Sequence, residues 1–147
     1  MATLTRGARV LAQLPLWIAA LWWGSLSTVG FLVVPLLFAH LPSPAIAGGM
    51  AAKLFAAQTW VALVCGLLLL LMQRRRQSEA LTGPAQDAAV WIMAAMLLAL
   101  LAEFAVAPRI VMRQNLALWH AVGSLMYLAH WLCAGLVLRK ISRADLS

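Results

Sequence analysis

The stretch Ala102–His130, AEFAVAPRIVMRQNLALWHAVGSLMYLAH, decides how the chain is read. It sets one acid, Glu103, and two histidines, His120 and His130, among apolar residues, and places Pro108, Arg109 and Arg113 between two apolar runs. A proline removes a backbone donor and favours a break, so the pattern predicts two antiparallel helices turning at Pro108. At about 1.5 Å per residue, Glu103 before that turn and His120 after it both fall roughly 6 Å inside the apolar layer. A carboxylate at the centre of a spanning helix costs roughly 2.5–3.5 kcal/mol, and less toward an end, so such groups usually face the protein interior.

Composition sets the class. Of 147 residues, 65% are hydrophobic and 10% charged, with a mean hydropathy of +0.93. A soluble domain carries about 25% charged residues, so the chain reads as an integral membrane protein. The formal net charge of +7 is not spread along a basic face. The basic residues punctuate apolar runs, which is a topology signal and argues against a nucleic-acid partner. Cys65 and Cys133 fall inside apolar runs and read as small buried hydrophobes.

Four helices are expected, at about residues 14–38, 45–72, 88–107 and 116–138. The first is too long for the roughly 7–15-residue core of a signal peptide and reads as a retained span. Within it Ala20, Gly24 and Thr28 make a small-residue stripe suited to close helix approach, and Pro35 predicts a kink. Trp22 and Trp23 lie too deep for an interfacial belt, so at least one should pack inside. Ser43 and Pro44 suit the cap and first position of the second helix, and Lys53 can snorkel. Arg74, Arg75 and Arg76 close that helix, fixing orientation or meeting anionic headgroups, before a polar linker at 78–87 containing Gly83-Pro84. The third helix shows the stripe Ile92, Met96, Ala99, Glu103, and the fourth the face His120, Ser124, Tyr127, Trp131.

Lys and Arg number two before the first helix, three between the second and third and three after the fourth, against Lys53, Arg109 and Arg113 elsewhere. Both termini are therefore expected in the cytoplasm, and the fold class is an all-α, integral membrane, four-helix up-down bundle forming a single domain.

The candidate site is the polar set Gln58, Glu103, His120, Ser124 and Tyr127, expected at matched depth near the outer face. The plainest reading is an interhelical hydrogen-bond network in a structural or accessory membrane component. A sharper one is a haem or soft-metal site, copper included, with His120 as ligand and Glu103 or Met112 nearby, His130 being a separate haem ligand. A third is proton-coupled transport by an oligomer, although no inverted repeat is visible. No Gly-rich phosphate loop, Cys-x-x-Cys, His-Glu-x-x-His or nucleophile elbow is present, so no enzymatic activity is assigned. Expected partners are the lipid bilayer and a homo-oligomer or larger membrane complex.

Trp23-Gly24, Pro35-Leu36-Leu37-Phe38, Ala47-Gly48, Phe55, Pro108-Arg109-Ile110 with Arg113, and Leu118-Trp119-His120 with Ser124 resemble the transmembrane-protein-205-like proteins, a bacterial family of unknown function. The resemblance implies a bacterial inner-membrane location and a four-helix architecture shared with copper-resistance D proteins and the haem-containing membrane protoporphyrinogen oxidase. Through a eukaryotic namesake associated with cisplatin resistance, it also implies metal-drug handling or trafficking. The chain departs from the family pattern in the fourth helix, where Tyr127 stands in place of an asparagine and the serine falls one place late.

Overall fold

A computed structural model describes residues 6–79, 86–113 and 115–144. Helix α1 covers residues 6–40 in three parts: an α segment Arg6–Thr28, a wide π turn Val29–Val33, and a closing α segment Val34–His40. Helix α2 is Pro44–Glu79. Helix α3 covers residues 86–111 and repeats the design of α1, with Gln86–Leu101, a π turn Ala102–Val106, and Ala107–Val111. Helix α4 is Leu116–Ala144. Each of the four is long and apolar enough to cross a membrane, and the described residues contain no strand.

The expected turn at Pro108 is not where the chain reverses. Helix α3 passes through the proline to Val111, and the reversal falls at 112–115, where Arg113 and Asn115 adopt left-handed φ values of 55° and 36°. The π turn explains the passage. The Ala107 N–H bonds the Ala102 carbonyl, five residues back, and Pro108 then occupies the first turn of a fresh α segment, where its missing N–H costs little. Helix α1 handles Pro35 identically, with Val34 N–H on the Val29 carbonyl. The kink expected at Pro35 is thus a π turn ahead of it. Both π turns carry one pattern, Phe31-x-Val33-x-Pro35 and Phe104-x-Val106-x-Pro108, and each lies in the first helix of a hairpin. This is a parallel repeat.

Other boundaries also shift. Helix α2 runs past Met72 through the arginines to Glu79, and α4 past Leu138 to Ala144. The apolar runs mark the membrane crossing, whereas Arg, Lys and Gln continue a helix readily beyond it. Ser43 does cap α2, its Oγ accepting from the Ile46 N–H at 3.3 Å. Of the linker expected at 78–87, residues 80–85 lie outside the described residues, as do the side chains of Arg75 and Arg76.

Each helix packs on its sequence neighbours, and α4 closes the ring against α1. The core-facing stripe of α1 is Pro15, Ala19, Trp22 and Leu26 at alternating four- and three-residue steps. It is not Ala20, Gly24 and Thr28, which lie one residue round, and a methyl group added at Gly24 would meet nothing within 4 Å. Trp22 is fully buried, and Trp23 partly. On α3 the stripe Ala88, Ile92, Ala95, Ala99 is buried, with Met96 and Glu103 half-buried beside it. On α4 the buried residues are His130, Cys133, Ala134 and Val137. Both cysteines are buried and free. No residue of Val29–His40 is buried, and the buried residues of α4 begin at His130. The tight core therefore lies in the half of the bundle away from the two short turns.

Close approach of α1 and α4 depends on Gly30. A Cβ there would overlap the Tyr127 ring, with Cε1 the nearest atom. Overpacking of this kind costs about 1–3 kcal/mol. Gly30→Ala should therefore lower the unfolding midpoint in detergent relative to Gly24→Ala, which gains the same helix propensity with no clash. Equal midpoints for the two variants would contradict this packing.

Candidate functional site

Three consecutive residues of α1 receive hydrogen bonds from two neighbouring helices. Gln58 Nε2 on α2 donates to Ser25 Oγ at 2.9 Å, Tyr127 Oη on α4 donates to the Leu26 carbonyl at 2.7 Å, and Trp131 Nε1 on α4 donates to Ser27 Oγ at 2.8 Å. Successive residues of a helix point about 100° apart, so Ser25 and Ser27 reach opposite neighbours while Leu26 turns inward. The two serines can accept because each spends its own proton on α1, Ser25 on the Trp22 carbonyl and Ser27 on the Trp23 carbonyl, both at 2.9 Å. Each of these bonds pairs a side-chain donor with an acceptor inside the protein, as a region without water favours.

The Tyr127 bond reshapes the helix that it holds. Its hydroxyl lies between the Leu26 carbonyl and the Gly30 N–H, two groups that pair with each other in a regular α-helix. A side chain inserted into the i→i−4 ladder is a recognised cause of local widening, and the π turn begins one residue before Gly30. Aromatic rings pack the junction: Phe55 meets Tyr127 edge-on at 5.2 Å between centroids, and Phe31 meets Trp131 edge-on at 5.4 Å.

The set read from the sequence does not assemble as one cluster. Gln58 and Tyr127 belong to the clamp on α1, but among the described residues Glu103, His120 and Ser124 make no hydrogen bond or ion pair with one another or with those two. Depth explains part of this. Gln58 lies fourteen residues into α2, about 21 Å from the turn, Glu103 eight residues before Val111, about 12 Å, and His120 four residues into α4, about 6 Å. Facing explains the remainder. The core line of α4 runs through Gly123, whose Cβ position touches Val106 and Ile110 of α3, then His130 and Val137 at seven-residue steps. His120 lies about 80° and Ser124 about 120° from that line, and both are exposed. Glu103 is half-buried within the second π turn. Arg109 does not reach it; its guanidinium covers the Trp119 ring at 4.4 Å and donates to the Ala105 carbonyl at 2.9 Å. Met112 is exposed in the turn, and Arg113 and Arg74 are exposed. Among the described residues no three His, Cys, Asp or Glu side chains are grouped to hold a metal ion.

Residues 17–118 match a family described as a domain of unknown function, DUF4149. The chain belongs to this family. No curated protein and no solved structure matches it. Within this DUF4149 chain the matched region takes in both π turns, Ser25–Ser27 and Gln58, and stops at Leu118. Tyr127 and Trp131, the α4 side of the clamp, lie beyond it.

Sequence reasoning missed Ser25, Ser27 and the Leu26 carbonyl. Two serines one residue apart inside an apolar span were the available signal, since each must find a partner in the bilayer. Interhelical hydrogen bonds in membranes average about 0.6 kcal/mol and reach about 1.7. Tyr127→Phe should lose an amount in that range in an unfolding titration, whereas exposed Ser124→Ala should stay within about 0.5 kcal/mol of wild type. Glu103→Leu and His120→Leu should add to within about 0.3–0.5 kcal/mol when combined. A larger coupling energy would restore the paired reading of those two residues.

Proposed function

We propose that this chain is a small structural or accessory component of a bacterial inner membrane, with both termini in the cytoplasm. The observation that carries the reading is the clamp on Ser25–Ser27, because the two serine hydroxyls and the Leu26 carbonyl are spent on tying three helices together. The uneven distribution of Lys and Arg supports the orientation, with eight at the end holding the termini against three at the other. The resemblance to transmembrane-protein-205-like proteins agrees with a membrane role and is part of this proposal, not of the family match.

The faces outside the core favour an assembly. Thr28, His120 and Ser124 are exposed on membrane-spanning helices, and Glu103 is half-buried about 12 Å from the turn. Polar and ionisable side chains within spans are costly against lipid and usually face protein. A second copy or another membrane protein is the natural cover. Native mass measurement after extraction into lipid nanodiscs from its own membrane should find the 15.9 kDa chain in a larger species, as a homo-oligomer or with a co-purifying membrane protein. A single monomeric species with no associated protein would overturn the accessory role.

A further inference from the structure

His130 stands at the midpoint of the 29-residue α4, about 21 Å from either end, where a bilayer offers no water from the surface. It is 5% exposed, and its Nε2 has no hydrogen-bond partner among the described residues. Trp22, fully buried on α1, faces it edge-on, with ring centroids 5.8 Å apart and planes at 63°, and the Trp22 Nε1–H is likewise without a partner among the described residues. These two groups are chemically complementary. Indole N–H can only donate, and the Nε2 of a neutral imidazole can accept.

We infer that His130 and Trp22 form an internal binding site for one water molecule. The water oxygen accepts from the Trp22 indole N–H, and one of its O–H groups donates to His130 Nε2. Ala19, Ala62, Ala95, Ala99 and Ala134 are buried in the same core as Trp22. A buried water commonly makes about three hydrogen bonds to polar groups that are otherwise unmatched. Acceptance at Nε2 holds the imidazole neutral, with its proton on Nδ1, since the second nitrogen's bond sets the tautomer. The site ties α1 to α4 at mid-membrane, one helical turn from the Gln58–Ser25 bond, and it does not depend on the accessory role proposed above.

The test is NMR of the full chain in nanodiscs, labelled with 15N at histidine and tryptophan. The expected result is a direct nuclear Overhauser contact between the Trp22 indole proton and a bound water, with His130 Nε2 resonating as a hydrogen-bonded acceptor. Trp22→Phe should remove the acceptor signature at Nε2 while the Tyr127 hydroxyl resonance stays in place. A scalar coupling across a direct Trp22–His130 hydrogen bond, or a Trp22 indole proton with no water contact, would overturn the site. Both readouts come from the wild-type protein, so they decide the matter even if the variant does not fold.

Discussion

A phenol hydroxyl held against the backbone of a neighbouring helix is the constraint from which much of this bundle follows. Tyr127 reaches across to the Leu26 carbonyl, and the room for its ring exists only because residue 30 has no side chain. In water such a contact would compete with solvent for each group. In a bilayer an unmatched hydroxyl or amide has no such recourse, so the bond is worth keeping even at the cost of a distorted helical ladder. The distortion is local because the ladder resumes as soon as Val34 bonds the Val29 carbonyl. Proline at position 35 then fits without penalty, and the helix continues to its turn.

The same device appears twice, and the two copies have diverged at one informative place. In each hairpin a π turn carrying Phe-x-Val-x-Pro precedes the reversal, but the second residue of the turn is Gly30 in α1 and Glu103 in α3. Gly30 admits a ring from α4. Glu103 instead projects a carboxyl group that no described residue neutralises. The first π turn is thereby spent on packing, whereas the second keeps an ionisable group at a level where lipid is an expensive neighbour. Wide turns of this kind often mark functional positions in helices, and the asymmetry makes α3 the side on which this chain has chemistry left over.

The class of fold was readable because long apolar runs separated by basic or turn residues have few other outcomes. Burial of Trp22 and of both cysteines followed from depth alone. What failed was the phase of α1 and α4. The stripes through Ala20 and through His120 were displaced from the true core lines by one helical step, because in a membrane the lipid-facing side is as apolar as the core and periodicity carries little contrast. Gly24 looked like a contact point, yet a side-chain carbon there would touch nothing, whereas at Gly30, Gly66, Gly123 and Gly135 it would meet a neighbouring helix. Pro108 looked like a terminus, since sequence alone does not distinguish a proline that ends a helix from one that a π turn has prepared for.

That failure of phase also explains why the polar set was assembled wrongly. Grouping Gln58 with Glu103 assumed that polar residues on different spans share a level, yet Gln58 lies deeper and finds Ser25, a residue hidden in an apolar run. The groups that do share a level are those tied to α1: Gln58 on Ser25 and His130 on Trp22, with Ser25 in turn bonded to the Trp22 carbonyl. A histidine placed there brings a ring nitrogen that must be satisfied, whereas an alanine or leucine would pack the same seam with none. Its position beside an indole that can only donate makes mid-membrane hydrogen bonding, and not charge, the feature that the centre of this bundle is built to accommodate.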